Sequence, residues 1–332
     1  MKMLGIFLGI FLTTMVGIVG CEKDSSSAVD DNTLSEMELQ ESVLDEENDY
    51  LLDWGIDDGS EGNIYDGYSS FPKAFGFPKI ADSIDEVLRF GRIINHRFRR
   101  QFTFTRLNPD SVLVSVTRQL NGKFVIFGVE TNLQDTSIYR KDLTHIARRK
   151  AIFVKRHASD QNQDNPGRGR WRIQSVTLGE GLSQPTETIQ IHEVVVHNSM
   201  GDSIVFTDPL ETFLAVPDDI PTFNTGETVT IRVKLENSTP NPFIGQDGAT
   251  ETLLLHFGRN RYHHGRKRFT YMGIDPATGY SIYEGFWQIG QQPYRVRHAI
   301  VDAIDNGTIY DDNEIAYPYN STTWCAPYRV TN

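Results

Sequence analysis

The sequence predicts an α+β domain, with one main helix on a curved antiparallel sheet, followed by an all-β sandwich. Apolar residues at positions 84–98 recur at near-helical spacing, and Ser83 and Glu86 fit a capping box before them. Strand-like runs then follow over residues 112–176. From about Thr186 onward, short β-rich runs alternate with turn residues and no convincing helical pattern interrupts them. A helix followed by strands indicates the α+β domain, and a succession of short strands without a helix indicates the β-sandwich.

The first residues have the layout of a cleavable export signal, which we assign to residues 1–20. Lys2 precedes an apolar run from Met3 to Val19, which is shorter than the roughly 20 residues that span a membrane. Small residues then lead to Cys21. This pattern resembles the bacterial lipobox, which implies that Cys21 carries acyl chains such as palmitate and becomes the mature N terminus. The alternative is an uncleaved N-terminal anchor.

An acidic segment follows, and we expect residues 21–68 to form a disordered tether. Residues 22–66 contain 16 acidic side chains and one basic side chain, and such a segment buries too little apolar surface to offset chain entropy. The cluster Tyr50–Trp54 would dock on a domain or form a short transient helix. Residues 67–182 instead carry a net charge of +10, and residues 183–332 a net charge of −8. The basic region would engage an acidic component of the envelope or be covered by the tether.

The middle unit, residues 69–182, is predicted as the α+β domain. A turn signal at Asn121–Gly122 predicts a hairpin within its sheet. The strand Arg149–Lys155, a polar connection and the Trp-containing strand Gly169–Ile173 resemble the last two strands of the nuclear-transport-factor-2-like (NTF2-like) superfamily. The resemblance implies a cone-shaped, cystatin-like roll, and such folds often enclose a pocket. The polar side chains available to a pocket there are Tyr139, Asp142 and His145.

The last unit, residues 183–332, is predicted as a β-sandwich because short strands recur between turn residues. Thr225–Ile231 resembles the second strand of bacterial immunoglobulin-like or fibronectin-III-like modules, and Gln292–Val296 resembles their turn into a late strand. The resemblance implies a binding or scaffolding module. The predicted strands are residues 188–196, 203–207, 228–235, 252–257, 268–272, 283–289, 294–304 and 323–330.

The loop around Asn306–Gly307 is the candidate metal site. Carboxylates clustered in one loop are hard oxygen ligands of the kind that Ca²⁺ takes in proteins. Their spacing matches no EF-hand, and Asp and Asn also favour turns, so turn formation is the alternative. No other cofactor is predicted. The candidate calcium ligands are Asp302, Asp305, Asp311 and Asp312.

A basic loop in the last unit is a candidate anion-binding site, with lipid phosphate or an acidic glycan as the expected ligand. The alternative is a solvated hairpin tip, because adjacent histidines alone do not make a site. Nucleic acid is not expected as a partner, since no strand motif of aromatic and basic residues accompanies the positive charge. The loop residues are Arg261, His263, His264 and Arg266.

Motifs for catalysis are weak in this chain. His192 and His197 flank Glu193 at a spacing that does not fit a zinc-protease helix. No nucleophile elbow, phosphate loop or dinucleotide fingerprint occurs in the sequence. The sequence therefore predicts a non-catalytic, lipid-anchored protein of the bacterial periplasm or cell surface, with the outer membrane favoured, which binds or scaffolds a protein or envelope-glycan partner. The alternative is a small-ligand binder or enzyme that uses a pocket in the α+β domain.

Overall fold

The structure is a computed structural model that describes part of the chain. The described residues are 39, 43, 49–52, 55–58, 84, 86–95, 99–130, 135–155, 171–258, 264–290 and 296–332. The predicted lipidation site Cys21, and Arg261 and His263 of the predicted anion loop, lie outside these residues. Among the described residues, no helix has the length and apolar composition needed to cross a bilayer.

The described chain folds into seventeen β-strands and two short helices, so the protein is mostly β. Helix α1 spans Asp49–Leu52 and helix α2 spans Asn306–Tyr310. The strands are β1 Glu86–Ile94, β2 Arg99–Asn108, β3 Ser111–Glu130, β4 Asp135–Lys155, β5 Trp171–Thr177, β6 Gly179–Ser183, β7 Ile189–His197, β8 Ser203–Phe206, β9 Phe213–Ala215, β10 Thr222–Asn224, β11 Thr228–Asn237, β12 Glu251–Gly258, β13 His264–Arg268, β14 Thr270–Ile274, β15 Ser281–Gln288, β16 Val296–Asp305 and β17 Ser321–Thr331.

The strands form two sheets. The larger has twelve strands, ordered β1-β3-β4-β6-β17-β16-β12-β13, with β2, β5, β9 and β10 attached beside this path. The eight-strand path curls into a half-barrel. The smaller sheet has five strands, in the order β14-β15-β11-β7-β8. The described pairings are antiparallel apart from that of β10 with β17, which is parallel.

The main helix predicted around residues 84–98 is wrong, because Glu86–Ile94 of this stretch form the strand β1. β1 pairs with the second half of β3, and β2, which starts at Arg99, pairs with its first half. A bulge between Val87 and Arg89 breaks the two-residue alternation of β1. The apolar side chains therefore recur at a spacing that imitates a helix, whereas pairing with β3 determines the conformation.

The hairpin predicted at Asn121–Gly122 is also wrong, since both residues lie inside the continuous strand β3. β3 changes its partner at this point from β2 to β1, and Ile94 of β1 faces Gly122. A Cβ atom at Gly122 would clash with the carbonyl oxygen of Ile93. Glycine at this position therefore permits a close approach of two backbones rather than a turn.

Most of the predicted strands are confirmed. β3, β4 and β5 occur in the region of strand-like runs predicted over residues 112–176, and all eight runs predicted after residue 183 coincide with strands. The larger sheet continues across the predicted boundary between residues 182 and 183, because β6 pairs with β4 on one side and with β17 on the other. Strands from both predicted units therefore share one sheet.

Two hydrophobic cores support the sheets. The first lies between them, where Trp287 of the smaller sheet and Trp324 of the larger sheet are both buried. The second lies on the concave face of the curl and includes Phe90, Phe124 and Tyr319. β16 and β17 contribute to both cores, which explains their nearly continuous burial.

Part of the acidic segment predicted as a disordered tether is packed against the sheets. Leu39, Val43 and Leu51 are buried members of the first core. Ile56 is a buried member of the second core. These apolar side chains stabilise the docked segment through burial, despite the negative charge of the surrounding sequence.

Candidate functional site

A cleft opens at the junction of the two sheets. Its volume is about 470 Å³, which lies within the roughly 300–1,000 Å³ typical of ligand pockets. β6 and the start of β17 form the side that belongs to the larger sheet, and the start of β7 and the end of β11 form the other. The residues that follow β8 complete the lining.

Hydrogen bonds hold the walls of the cleft in place near the connection from β6 to β7. The N–H of Gln184 donates to the carbonyl of Thr144 at 3.0 Å, and the N–H of Ser238 donates to the carbonyl of Thr188 at 2.9 Å. The hydroxyl of Thr322 donates to the carbonyl of Ile189 at 2.6 Å, which joins β17 to β7. The first two bonds each lie within one sheet and the third joins the two sheets, so the shape of the cleft is set by the fold.

Four carboxylates line the cleft, and its described lining contains no Lys, Arg or His side chain. Burial raises the pKa of Glu180; Arg148 opposes this rise, while the charges of Glu187 and Asp208 add to it. The fourth carboxylate is Glu236, which lies 3.5 Å from His192. The negative charges repel one another in a partly desolvated space, and a bound cation would relieve that repulsion.

Apolar side chains lie behind the carboxylates. Leu182, Ile189 and Ile191 line the cleft together with Trp324. Ile189, Ile191 and Trp324 are almost fully buried, so they support the wall, and the surface that the cleft exposes is mainly polar. The carboxylates match a cationic group such as the ammonium of a lysine side chain or of a polyamine.

The predicted pocket residues Tyr139, Asp142 and His145 all lie on β4 but do not meet in one site. Asp142 points outward and forms an exposed ion pair with Lys123. His145 points to the opposite face and is fully buried, because side chains alternate along a strand. Tyr139 shares the face of His145 but lies six residues away, roughly 20 Å along the strand. None of the three lines the cleft.

A buried charged centre lies inside the curl. Arg92 of β1 reaches across the concave face and donates to the carboxylate of Asp302 at 2.6 and 2.8 Å. The Nε2 of His256 lies 2.9 Å from the same carboxylate. Arg92 also donates to hydroxyl oxygens at 2.8 and 2.9 Å. We define the charged centre as Arg92, His256, Asp302, Tyr319 and Ser321.

Electrostatics keeps the charged centre ionised and its neighbour His145 neutral. Desolvation lowers the pKa of Arg92, but the charge of Asp302 and the interactions with Tyr319 together outweigh it, so the net pKa is raised. Desolvation raises the pKa of Asp302, but Arg92 and His256 outweigh it and hold the pKa well below its usual range. Burial, together with the charge of Arg92, lowers the pKa of His145 to about 3. The centre is therefore a compensated ion pair, which fits a structural role.

The predicted calcium ligands do not converge. Asp302 belongs to the charged centre, on the inner face of β16. Asp305 accepts from a backbone N–H of α2, and Asp311 accepts from a backbone N–H of the following turn, each at 2.8 Å. Asp312 is exposed. Within the described ranges, no group of three or more His, Cys, Asp or Glu side chains is arranged to hold a metal ion.

Arg266 of the predicted anion loop lies against the body of the protein. Its guanidinium donates to the carbonyl of Phe90 at 2.7 Å and lies 3.4 Å from the carboxylate of Asp58. Both charged side chains are 4 % exposed. His264 is the first residue of β13, two positions before Arg266. Arg266 therefore serves the closure of the sheet, since β13 is an end strand that faces β1.

No family model, curated protein or solved structure matches this chain. The cleft is therefore identified from its geometry.

The sequence analysis missed the cleft carboxylates. Glu180, Glu187, Asp208 and Glu236 come from separate segments, and only the pairing of β6 with β17 and of β7 with β11 brings those segments together. The sole sequence signal was the acidic excess of residues 183–332. Such an excess does not distinguish a binding cleft from solvated surface.

Proposed function

We propose that this protein is a lipid-anchored, non-catalytic binding protein of the bacterial envelope that holds a cationic group of a partner in the cleft between its sheets. The observation that carries the proposal is the lining itself. Four carboxylates surround a cavity of about 470 Å³, and among the described residues that line it there is no basic side chain.

The chemistry of the cleft favours a protein partner over an envelope glycan. Lysine and arginine side chains supply a positive charge on an apolar stem, whereas glycans are mostly neutral or acidic. Like charges held close together also disfavour acidic ligands. The partner class is therefore a protein segment that presents Lys or Arg, and a free polyamine is the competing ligand with the same chemistry.

The anchor and the architecture support the same role. The lipobox resemblance at Cys21 favours tethering at a membrane, since several acyl chains hold a protein more firmly than one. The five-stranded sheet packs on β16 and β17 of the larger sheet, an arrangement compatible with the resemblance to immunoglobulin-like binding modules. A protein held in this way would present its cleft to partners in the envelope.

Binding of a labelled pentalysine peptide tests the cleft. We expect saturable binding by fluorescence anisotropy at low ionic strength. The affinity should fall as the salt concentration rises, because salt screens the attraction between the carboxylates and the lysine side chains. The double variant Glu187→Gln with Glu236→Gln should bind about tenfold more weakly, since two attractive charges are lost. Glu284→Gln, which removes a charge on β15 outside the cleft lining, is the matched control and should bind normally.

Two outcomes would reject the proposed site. One is the absence of saturable binding at low salt, and the other is an equal loss of affinity in Glu284→Gln. Spermine is then titrated against the bound peptide. If spermine binds the wild type more tightly than the peptide does, the ligand is a free polyamine and the protein-partner assignment fails while the cleft stands.

Mass spectrometry of the protein from its native membrane tests the anchor separately. We expect a diacylated or triacylated Cys21 as the first residue, and accumulation of the uncleaved form when globomycin blocks lipoprotein signal cleavage. An intact Met1 with an unmodified Cys21 thiol would remove the anchor from the proposal without affecting the cleft.

A further inference from the structure

A short stretch of the N-terminal segment runs along β1. The N–H of Asp58 donates to the carbonyl of Arg92 at 2.8 Å, and the carboxylate of Asp58 accepts from the N–H of Arg92 at 2.6 Å. The carboxylate of Asp57 accepts from the N–H of Ile94 at 3.1 Å. These bonds satisfy alternate backbone groups of β1, in the way that a neighbouring strand would.

The same stretch also contacts the other end of the eight-strand path. Arg266 of β13 lies 3.4 Å from the carboxylate of Asp58 and donates to the carbonyl of Phe90 on β1 at 2.7 Å. Its guanidinium carbon also lies 5.3 Å from the centre of the Phe90 ring. β1 and β13 are the two ends of the sheet order, so Asp58 and Arg266 together join the two edges of the half-barrel.

The stretch is held from the inside as well. Gly55, Ile56, Asp57 and Asp58 are all buried, and Ile56 is fully enclosed by the second core. The carbonyl of Tyr50, just before this stretch, accepts from the guanidinium of Arg149 at 2.6 Å. Burial of an apolar side chain and of two hydrogen-bonded carboxylates fixes the segment in one position.

We propose that residues 55–58 form a latch that closes the curled sheet by joining β1 to β13, and that opening the latch gives water access to the charged centre. Arg92 makes the connection. Its backbone is bound to Asp58, and its side chain forms the ion pair with Asp302. The latch is separate from the cleft, because none of its residues lines the cleft.

Hydrogen–deuterium exchange of the full chain, followed by mass spectrometry, tests the latch from both edges. In Asp58→Ala and in Arg266→Met, we expect the amides of β1 and β13 to exchange at least about tenfold faster, because their closing contacts are lost. The amides of β7, β11 and β15 in the smaller sheet should keep their wild-type rates. The effects of the two substitutions should be less than additive in the double variant, because both remove the contact between Asp58 and Arg266, while each also removes one contact of its own with β1.

A milder variant and a matched control complete the experiment. Asp58→Asn keeps an acceptor for the N–H of Arg92 but loses the charge that faces Arg266, so its effect should fall between the wild type and Asp58→Ala in the same strands. Arg268→Met removes a positive charge from the same strand. Because the ion pair of Arg268 is with Asp247, the amides of β1 should keep their wild-type exchange rates in this variant. Unchanged exchange in β1, or equal acceleration in every strand, would overturn the latch.

Discussion

The charged centre inside the curl and the cleft between the sheets both gather ionisable side chains, but they arrange their charges in opposite ways. In the charged centre, a cation and an anion meet at 2.6 Å and both are almost completely buried. In the cleft, four carboxylates share a cavity of about 470 Å³ and its described lining offers no basic side chain. The charges of the first region balance within the protein, whereas those of the second would be balanced by the cation that we propose as its ligand.

The difference separates a structural role from a binding role. A buried ion pair contributes little net stability over an apolar pair, but it fixes which strands meet, because leaving either charge alone is strongly unfavourable. Uncompensated charges at an open cavity have the reverse property, since solvent screens them until a cation binds. Three predictions test this comparison, beginning with the largest effect.

Removing Asp302 should destabilise the fold most. Asp302→Asn leaves the positive charge of Arg92 buried without its counter-ion, and we expect a loss of about 3–5 kcal/mol in the free energy of unfolding. Urea denaturation at pH 7 measures it. Asp142→Asn breaks an exposed ion pair with Lys123 and should change the free energy by no more than about 1 kcal/mol.

A second variant shows whether the charge or the packing is responsible. Arg92→Met combined with Asp302→Leu removes both charges and keeps apolar volume, so it should be less destabilised than Asp302→Asn alone. If Asp302→Asn and Asp142→Asn have equal effects, the two ion pairs are equivalent and the structural role of the charged centre is wrong.

Acid should destabilise the region beside the charged centre through His145. Its pKa is lowered to about 3 in the folded protein by burial and by Arg92, against about 6.5 in an unfolded chain. The unfolded state therefore binds more protons between these values, and the free energy of unfolding falls as pH decreases, by up to about 1.4 kcal/mol per pH unit for one such group. Burial also lowers the pKa of His298, which contributes in the same direction.

The variant His145→Gln should retain only part of this pH dependence. Unfolding is measured in urea between pH 6.5 and pH 4.5 for both proteins, and the slope is compared rather than the absolute stability, since the substitution also changes packing. The slope should decrease in the variant because one of the two histidines with a lowered pKa, His145 and His298, no longer takes up a proton on unfolding. Parallel slopes would contradict the assignment of a buried neutral His145.

The smallest effect on the free energy of unfolding should come from a substitution in the cleft, and it should be an increase rather than a loss. Burial raises the pKa of Glu180, so its ionisation disfavours the folded state once the pH exceeds the unfolded value. Glu180→Gln should therefore increase the free energy of unfolding at pH 7, by less than about 1 kcal/mol because the site is partly solvated. The gain should disappear below about pH 4, where the carboxyl is protonated in both states. A loss of stability at pH 7 would show that Glu180 is a structural residue.

Local patterns predicted the strands of the second half of the chain well. In β11, alternate residues from Val229 to Leu235 are buried, and the alternation is visible in the sequence. The same reasoning failed at β1 and at Gly122. The bulge in β1 and the close approach of Ile93 to Gly122 both arise from the pairing of β1 with β3, which the local pattern does not show.

The candidate site could not be predicted for a related reason. Sequence spacing singled out residues near one another in the chain, such as Asp302 and Asp305, but successive strand positions point to different surroundings. Asp302 turns into the curl and meets Arg92, while Asp305 caps α2. The cleft carboxylates instead come from β6, the connection to β7, the residues after β8 and the end of β11, and they meet only through sheet pairing.

The sequence by itself determined that this protein is rich in antiparallel strands, since two-residue alternation and turn residues are local properties of the chain. Its charge blocks and the features around Cys21 are also local, and they support the proposed anchor. The tertiary structure alone decided that both halves share one sheet, that Arg92 meets Asp302, and that four carboxylates surround one cavity. These are contacts between distant segments, and they depend on which strands pair and how the sheet curls, which no local pattern encodes.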